Sequence, residues 1–534
     1  MGLSAIARGD FYVVTERLRK RGPACIAAGG HVVPGVDVAA ALSSILVVVM
    51  AVVLRLRYFS GLGLGDDALL RYDIWNVVRS GHVNFTPNGY RFTWWIPTAL
   101  SCRLLGLTEA GLITPIVAFD VLGMVLVCLF ARRLWGGSGA VIAALLLAVL
   151  PLDVAWSTML TSDILFSFFS ALCVFFVLRA LGEDDDAGRR RAWTLAAVAL
   201  WLAYHTKVTG VLLVPALAVI GWANRRTLDA TVFRFLGTAA LLFGASGLVF
   251  YVLHGDVLAP FNIELRLQGL VGPEAPLHRA SMEAFKIYPR WLFLPDSLGT
   301  WVYSVYPHLL IVLAVAGAAL GIRPCWPVLW WLFFLFLGME LNFQRAGGVW
   351  VTGFRNVRHG HVFAYPLVLL LTGYLVAFRQ RYPKATGGLL LLVLGFSLWQ
   401  SVATATITHV AFGDERSTTR FLATLPPKPT YSDFQLGQWF TFSGLSETGW
   451  QFRVVEADDR VKRRRELAAV AAGYLVTGGG REPYYGCTHC IPSAADVAAD
   501  RWVLLKEFPS SMPPTSWRAE PLRIWEARPP SLTP

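Results

Sequence analysis

Two adjacent carboxylates, Asp66 and Asp67, follow the first long apolar stretch of the chain. Carboxylates beside a membrane segment are costly to desolvate, so they need partners or a task. Two readings stand. Gly65-Asp66-Asp67 precedes ALLRYDIWNVV, and acidic groups favour a helix N-terminus. Alternatively, one of the pair is a catalytic base that takes the proton of a substrate hydroxyl. In a helix starting at residue 66, Asp66 and Asp73 share a face, whereas Asp67 and Arg71, four apart, can pair on another. Asp66 is therefore the carboxylate left for a base and ranks first.

Further candidates lie downstream. Asp163 opens TSDILFSFFSALCVFF, with Thr161 and Ser162 beside it. It reads either as an N-cap or as a second carboxylate facing the same cavity, for orientation or metal binding. Asp153, after Pro151, is the weaker of the two. His205 and Lys207 lie in WLAYHTKVTGVLLVPAL. The lysine either snorkels to the membrane interface or offers a compact positive charge to phosphate. Arg355, Arg358, His359 and His361 gather in FRNVRHGHVFAYP. Guanidinium groups grip phosphate bidentately, which favours an anionic-ligand site there. Cys487 and Cys490 (CTHC) read as a disulfide rather than a zinc site, because no second pair completes four ligands. The remaining cysteines read as small core residues.

The elements that must position these groups are membrane spans. The chain has 534 residues, 55% hydrophobic and only 15% charged, against about 25% charge in soluble domains. A bilayer needs ~20 apolar residues per span, and about eleven stretches qualify: 38–57, 112–131, 138–152, 163–180, 193–205, 208–223, 233–253, 303–321, 326–343, 360–378 and 386–408. The first is long enough to be a retained helix rather than a removed signal peptide. The short loops 131–137, 179–193, 224–235, 321–327 and 378–384 all carry Arg or Lys. The positive-inside rule then places the N-terminal segment 1–37 in the cytoplasm, while Arg55 and Arg57 go against the rule locally. This topology accounts for much of the net charge of +12, which does not point to nucleic acid.

The membrane domain is expected over 38–409, with outer loops 58–111, 151–163, 254–298 and 342–358. Residues 410–534 are expected as an outer C-terminal domain of α/β or mainly β type. Asp66, Asp67, Arg71, Asp73, Arg91, Asp153, Asp163, His205, Lys207, Arg355, Arg358, His359 and His361 all fall on the outer face. Inner loops hold charge in runs such as EDDD and RRR, which read as solvated. This asymmetry predicts an active site facing outward at the membrane boundary. The chain shows no internal repeat, which argues against an inverted-repeat transporter.

The segment GLGDDALLRYDIWNVVRSGHVNF…YRFTWWIPTALSCRLLG resembles the first outer loop of GT-C fold glycosyltransferases. Among them, the protein O-mannosyltransferase and lipid A aminoarabinose transferase superfamily is the most similar. PLDVAWSTMLTSDILFSFFSALCVFFVLRAL looks like the next outer loop and span of that superfamily. LAYHTKVTGVLLVPAL looks like its lysine-glycine-proline stretch, and NVRHGHVFAYPLVLLLTGYL its late arginine-to-proline helix start. Together the four cover about 1–400 in consistent order.

The resemblance implies a polytopic α-helical membrane protein of GT-C-like fold in a bacterial-type inner or plasma membrane. It implies an inverting glycosyltransferase with a polyprenyl-phosphate sugar donor and a glycan, lipid or protein acceptor. Asp66 takes the catalytic-base position, Asp67 its acidic partner and Asp163 the second-loop aspartate. Lys207 and Arg358 fall where donor-phosphate ligands are expected, and Arg355 and His359 of the basic cluster are added to that set. Arg71 joins them, although Arg71 and Tyr72 lie two positions further from the acidic pair than in the common spacing. A divalent metal is left open, since no clear ligand set stands out. The rival class is a transporter or flippase for a lipid-linked or anionic solute, which would also want basic residues at an outer mouth.

Overall fold

Inside a bilayer every backbone N–H and C=O must be satisfied within the protein, so long apolar runs become helices. The computed structural model describes residues 38–63, 66–83, 89–270, 325–341, 343–346, 349–352, 357–455, 460–478, 493–511 and 521–528. Of these, 66, 265–270, 343–346, 349–352, 357, 358 and 460 are described by backbone alone. The helices, in chain order, are α1 (Val38–Arg57), α2 (Asp66–Ser80), α3 (Phe92–Leu105), α4 (Glu109–Ala148), α5 (Pro151–Trp156), α6 (Asp163–Leu181), α7 (Asp186–Thr206) and α8 (Leu213–Ala223). They continue as α9 (Val232–His254), α10 (Ala259–Leu270), α11 (Trp326–Glu340), α12 (Ala364–Arg381), α13 (Pro383–Val410), α14 (Gly413–Leu422), α15 (Phe434–Phe442) and α16 (Arg460–Ala468).

Six of the described helices are long and apolar enough to cross a membrane, and the protein is an integral membrane protein. The expected span 303–321, like Arg355, Cys487 and Cys490, lies outside the described residues. The other expected spans each fall on a helix. Two of them, 112–131 and 138–152, are the arms of α4, which turns at Gly136, where φ is 75°. Only glycine takes that backbone without strain. Arg55 reaches both arms at one height, Asp120 on the first and the Leu147 and Ala148 carbonyls on the second. The arms therefore run antiparallel.

α4, α6 and α12 form the buried centre. By contrast, α1 exposes Val38, Leu42, Leu46, Val49, Met50 and Val53, an apolar stripe suited to lipid. The acidic run read as merely solvated in fact starts α7: Asp185 caps it by accepting from Gly188 N–H at 2.7 Å. The four described free cysteines, Cys102, Cys128, Cys173 and Cys325, are buried, as small core residues should be.

Charge is buried at one end of this centre. Arg55, fully enclosed, has Nε 2.7 Å from Asp120 Oδ2, and its Nη2 donates to Asp153. This explains why Arg55 breaks the positive-inside trend: it is an internal ion-pair partner, not a topology signal. Asp153 also meets His361 Nε2 at 2.6 Å. His361 is thereby corrected from a member of an anion-binding cluster to an enclosed partner of a carboxylate.

The C-terminal region carries a five-stranded sheet, following a short hairpin of β1 (Phe343–Ala346) and β2 (Val349–Thr352). Its strands are β3 (Pro429–Ser432), β4 (Gln451–Val454), β5 (Tyr474–Thr477), β6 (Trp502–Phe508) and β7 (Leu522–Ala527), in the order β4-β3-β5-β7-β6. β3 is parallel to β4 and β5, while β7 is antiparallel to β5 and β6. Helices α15 and α16 lie between successive strands, so the region is α/β. One hydrophobic cluster runs from Leu62 and Trp94 through Leu436 and Trp439 to Ile524, so the sheet region shares a core with the helices.

Removing one partner of a buried ion pair costs about 3–5 kcal/mol. Arg55→Leu, which removes the guanidinium from Asp120 and leaves Asp153 only its His361 contact, should lower the thermal midpoint of the purified protein by several degrees. Arg55→Lys should recover part of the loss. An unchanged midpoint in Arg55→Leu would show that the network carries no stability.

Candidate active site

The loop between α1 and α2 is anchored by Leu62 and Phe59 in the shared core, and hydrogen bonds fix its path between them. Ser60 N–H donates to Thr158 Oγ1 and Gly61 N–H to Thr158 O, both at 2.9 Å. Leu62 N–H donates to Glu109 Oε1 at 2.8 Å. Gly63 is held from both sides: its N–H donates to Asp67 Oδ2 at 3.2 Å, and its carbonyl accepts from Arg71 Nη1 at 2.8 Å. Asp67 and Arg71, one helical turn apart, thus bracket a single residue. Arg71 Nη2 also reaches the Gln435 carbonyl at 3.4 Å, and Tyr72 meets Phe434 edge-on at 6.0 Å. The start of α15 therefore braces α2.

Burial lowers the Arg71 pKa to about 10, while Asp67, Glu109 and Glu415 pull it back up, so Arg71 remains charged at neutral pH. Arg71 was expected among the phosphate ligands. It is instead fully enclosed and turned to backbone carbonyls. Asp66 is the first residue of α2, placed by this clamp.

The same loop leads across to the second carboxylate. Thr158 anchors Ser60 and Gly61, and five residues later Asp163 begins α6. Asp163 is not the N-cap: Ser162 holds that position without a side-chain cap bond. The Asp163 carboxylate turns away from the helix N–H groups, accepting from Thr161 Oγ1 at 2.9 Å and from Lys207 Nζ. A tertiary ion pair has displaced the local capping rule, and Lys207 is bound inward instead of snorkelling. Both side chains are largely enclosed. Gly210 permits the tight turn after Lys207, since a side chain there would run into the Tyr204 backbone.

A third charged group joins them. Thr93 and Thr206 share a 2.7 Å hydroxyl contact, which sets the spacing between Arg91 and Lys207. Arg91 Nη2 lies 3.2 Å from Glu264 Oε2, and Tyr90 OH donates to the same oxygen at 2.5 Å. Burial opposes the Arg91 charge, but Tyr90, Glu264 and Asp163 outweigh it and raise its pKa. Arg91 was only one charged group among many in the sequence, and Glu264 was missed, because nothing local marks an acid in APFNIELRLQ as a partner of residues 90 and 91. His205 lies beside these ion pairs without joining them: it packs on Phe92, contacts Ser246 Oγ at 3.1 Å and is hydrogen-bonded to the Tyr90 backbone.

The late basic segment forms a 3₁₀-helix over Val357–Phe363, so Arg358 and His359 lie just ahead of His361. His361 Nδ1 contacts Ser167 Oγ on α6 at 3.0 Å. The structure thus gathers the start of α2, Asp163, Lys207, Arg91, Glu264 and the 357–363 turn at one end of the helical centre. Among the described residues no three His, Cys, Asp or Glu side chains converge as metal ligands.

Residues 92–250, less than half the chain, match the family model for dolichyl-phosphate-mannose-protein mannosyltransferases. No curated protein sequence matches. Among solved structures, ArnT from Cupriavidus metallidurans bound to undecaprenyl phosphate superposes with a TM-score of 0.56 at 14% identity, covering 90% of this chain and 97% of that one. The apo form of the same protein gives 0.54 at 15%, covering 91% and 98%. The Archaeoglobus fulgidus oligosaccharyltransferase in complex with zinc and sulfate gives 0.53 at 13%, covering 88% and 72%. The chain has the GT-C fold. In this GT-C chain α2, which opens on two adjacent carboxylates, is the next described helix after α1.

Contacting charged residues couple by about 0.5–3 kcal/mol. The double variant Lys207→Met/Asp163→Asn should therefore lose less thermal stability than the two single variants sum to. Strict additivity would show that the ion pair has no energetic weight.

Proposed function

We propose that the protein is a membrane glycosyltransferase that moves a sugar from a polyprenyl-phosphate donor to an acceptor hydroxyl, with inversion. The observation that carries this reading is the clamped start of α2. The loop that delivers Asp66 is hydrogen-bonded to the loop that delivers Asp163 and, through it, Lys207. These contacts support Asp66 as the base and Lys207 as the cation that meets phosphate. The match of residues 92–250 to a dolichyl-phosphate-mannose-dependent family and the undecaprenyl phosphate bound by ArnT support the donor class.

The donor lipid lies in the outer leaflet with its phosphate toward Lys207, Arg355, Arg358 and His359. Asp66 accepts the proton of the acceptor hydroxyl. The oxygen attacks the anomeric carbon opposite the phosphate, and the carbon–oxygen bond to phosphate breaks with its electron pair leaving on the lipid phosphate. The cations stabilise that developing charge, a contribution that grows where water is excluded. Asp163 holds Lys207 in place, Asp67 and Arg71 hold the turn that carries Asp66, and Arg91 adds positive charge beside Asp163. On this reading the N-terminus is cytoplasmic and residues 410–534 form the outer domain, facing the acceptor.

A general base contributes roughly 10²–10⁴ in rate. With a panel of polyprenyl-phosphate sugars as donors, Asp66→Asn should lose at least about a hundredfold in transfer rate while retaining its thermal midpoint and its affinity for undecaprenyl phosphate. Near-wild-type turnover in Asp66→Asn would remove the base assignment.

A further inference from the structure

Nothing in the transfer chemistry uses His361, yet few side chains here are held so completely. It is enclosed, with Nε2 2.6 Å from Asp153 Oδ1 and Nδ1 3.0 Å from Ser167 Oγ. Ser167 Oγ also reaches two carbonyls, those of His361 at 3.2 Å and Asp163 at 2.9 Å. One hydroxyl thus ties the main chain at the start of α6 to the main chain of the 357–363 turn. On its other side the ring is anchored to Asp153, which is fixed by Arg55 and through it by Asp120. The chain of contacts joins α1, α4, α5, α6 and the turn.

The turn needs such an anchor. A 3₁₀-helix has poorer hydrogen-bond geometry than an α-helix; this one continues into the buried α12 at its C-terminal end, and His361 adds a hold nearer its N-terminal end. It carries Arg358 and His359, whereas Asp163, which binds Lys207, begins the helix on which Ser167 sits one turn later.

We propose that His361 is a positioning residue: joined to Asp153 and Ser167, it sets the turn bearing Arg358 against the Asp163–Lys207 pair, so that both cations address one lipid phosphate. This rests on the donor reading above. His361 does not touch the phosphate; it acts through Arg358. Partners that orient a ligating side chain are commonly worth tenfold or more in affinity.

The test is equilibrium binding of undecaprenyl phosphate to the full chain in lipid nanodiscs, with the thermal midpoint read alongside. His361→Ala should weaken binding by about tenfold. His361→Gln, which keeps a donor for Asp153, should recover part of that loss. Ser167→Ala, which leaves every buried charge paired, should weaken binding by about threefold and keeps the test alive if His361→Ala does not fold. In an Arg358→Ala background, neither substitution should weaken binding further. Unchanged affinity in Ser167→Ala, or losses that add to that of Arg358→Ala, would overturn the assignment while leaving the donor reading intact. A wild-type protein that binds no undecaprenyl phosphate would overturn the donor reading and this assignment with it.

Discussion

A guanidinium enclosed at the end of a membrane helix must find carboxylates, and Arg55 finds two. Its pairs with Asp120 and Asp153 cross-link α1, both arms of α4 and the short α5 that follows. Because Asp153 also holds His361, the same network reaches the turn before α12. Charges in so dry a place are worth little as net stability, but they are expensive to leave unpaired. They therefore act as a register device: helices that slipped past one another would strand a charge. The loops at this end of the bundle inherit their positions from that constraint.

Around this anchor the candidate site is arranged by opposite charges in alternation. Lys207 sits on Asp163, Arg91 on Glu264, and Asp67 beside Arg71. Lys207 and Arg91 are each held by a carboxylate, and Arg71 by two backbone carbonyls, before any ligand arrives, so these side chains are ordered in advance. Such preorganisation lets dipoles and charges act on a reacting group without reorganising at the moment of reaction. The α/β region contributes from the other side. The start of α15 closes over α2 through Gln435 and Phe434, and Arg416 from α14 reaches the Ser60 carbonyl under the loop. The segment that carries Asp66 is therefore wedged between membrane helices and sheet region.

The helices were legible because a bilayer leaves one solution for a long apolar run, and even the turn at Gly136 sat where a basic, glycine-containing loop was expected. The acidic and basic residues that cluster in a few loops of the sequence do meet one another in the fold. What the sequence hid was pairing. Asp153 meets Arg55 and His361 across 98 and 208 positions, distances at which no local pattern operates. Asp120, a lone acid within GLITPIVAFDVLGMV, was the one available sign, since an ionisable group in a span implies a partner. Of the two readings of Asp163, the helix cap is set aside: its local environment fitted a cap, but the fold offered it Lys207 instead. The strand order of the C-terminal sheet was hidden for the same reason, because β3 lies between β4 and β5 only through crossovers.

Lys207 and Arg358 are proposed to serve one phosphate. The direct measurement is a cryo-electron microscopy map of the full chain in lipid nanodiscs with undecaprenyl phosphate. The account predicts phosphate density within about 4 Å of both the Lys207 ammonium and the Arg358 guanidinium, with the Asp66 carboxylate facing the adjoining space. Phosphate density held at the opposite end of the bundle, or by only one of the two cations, would contradict it.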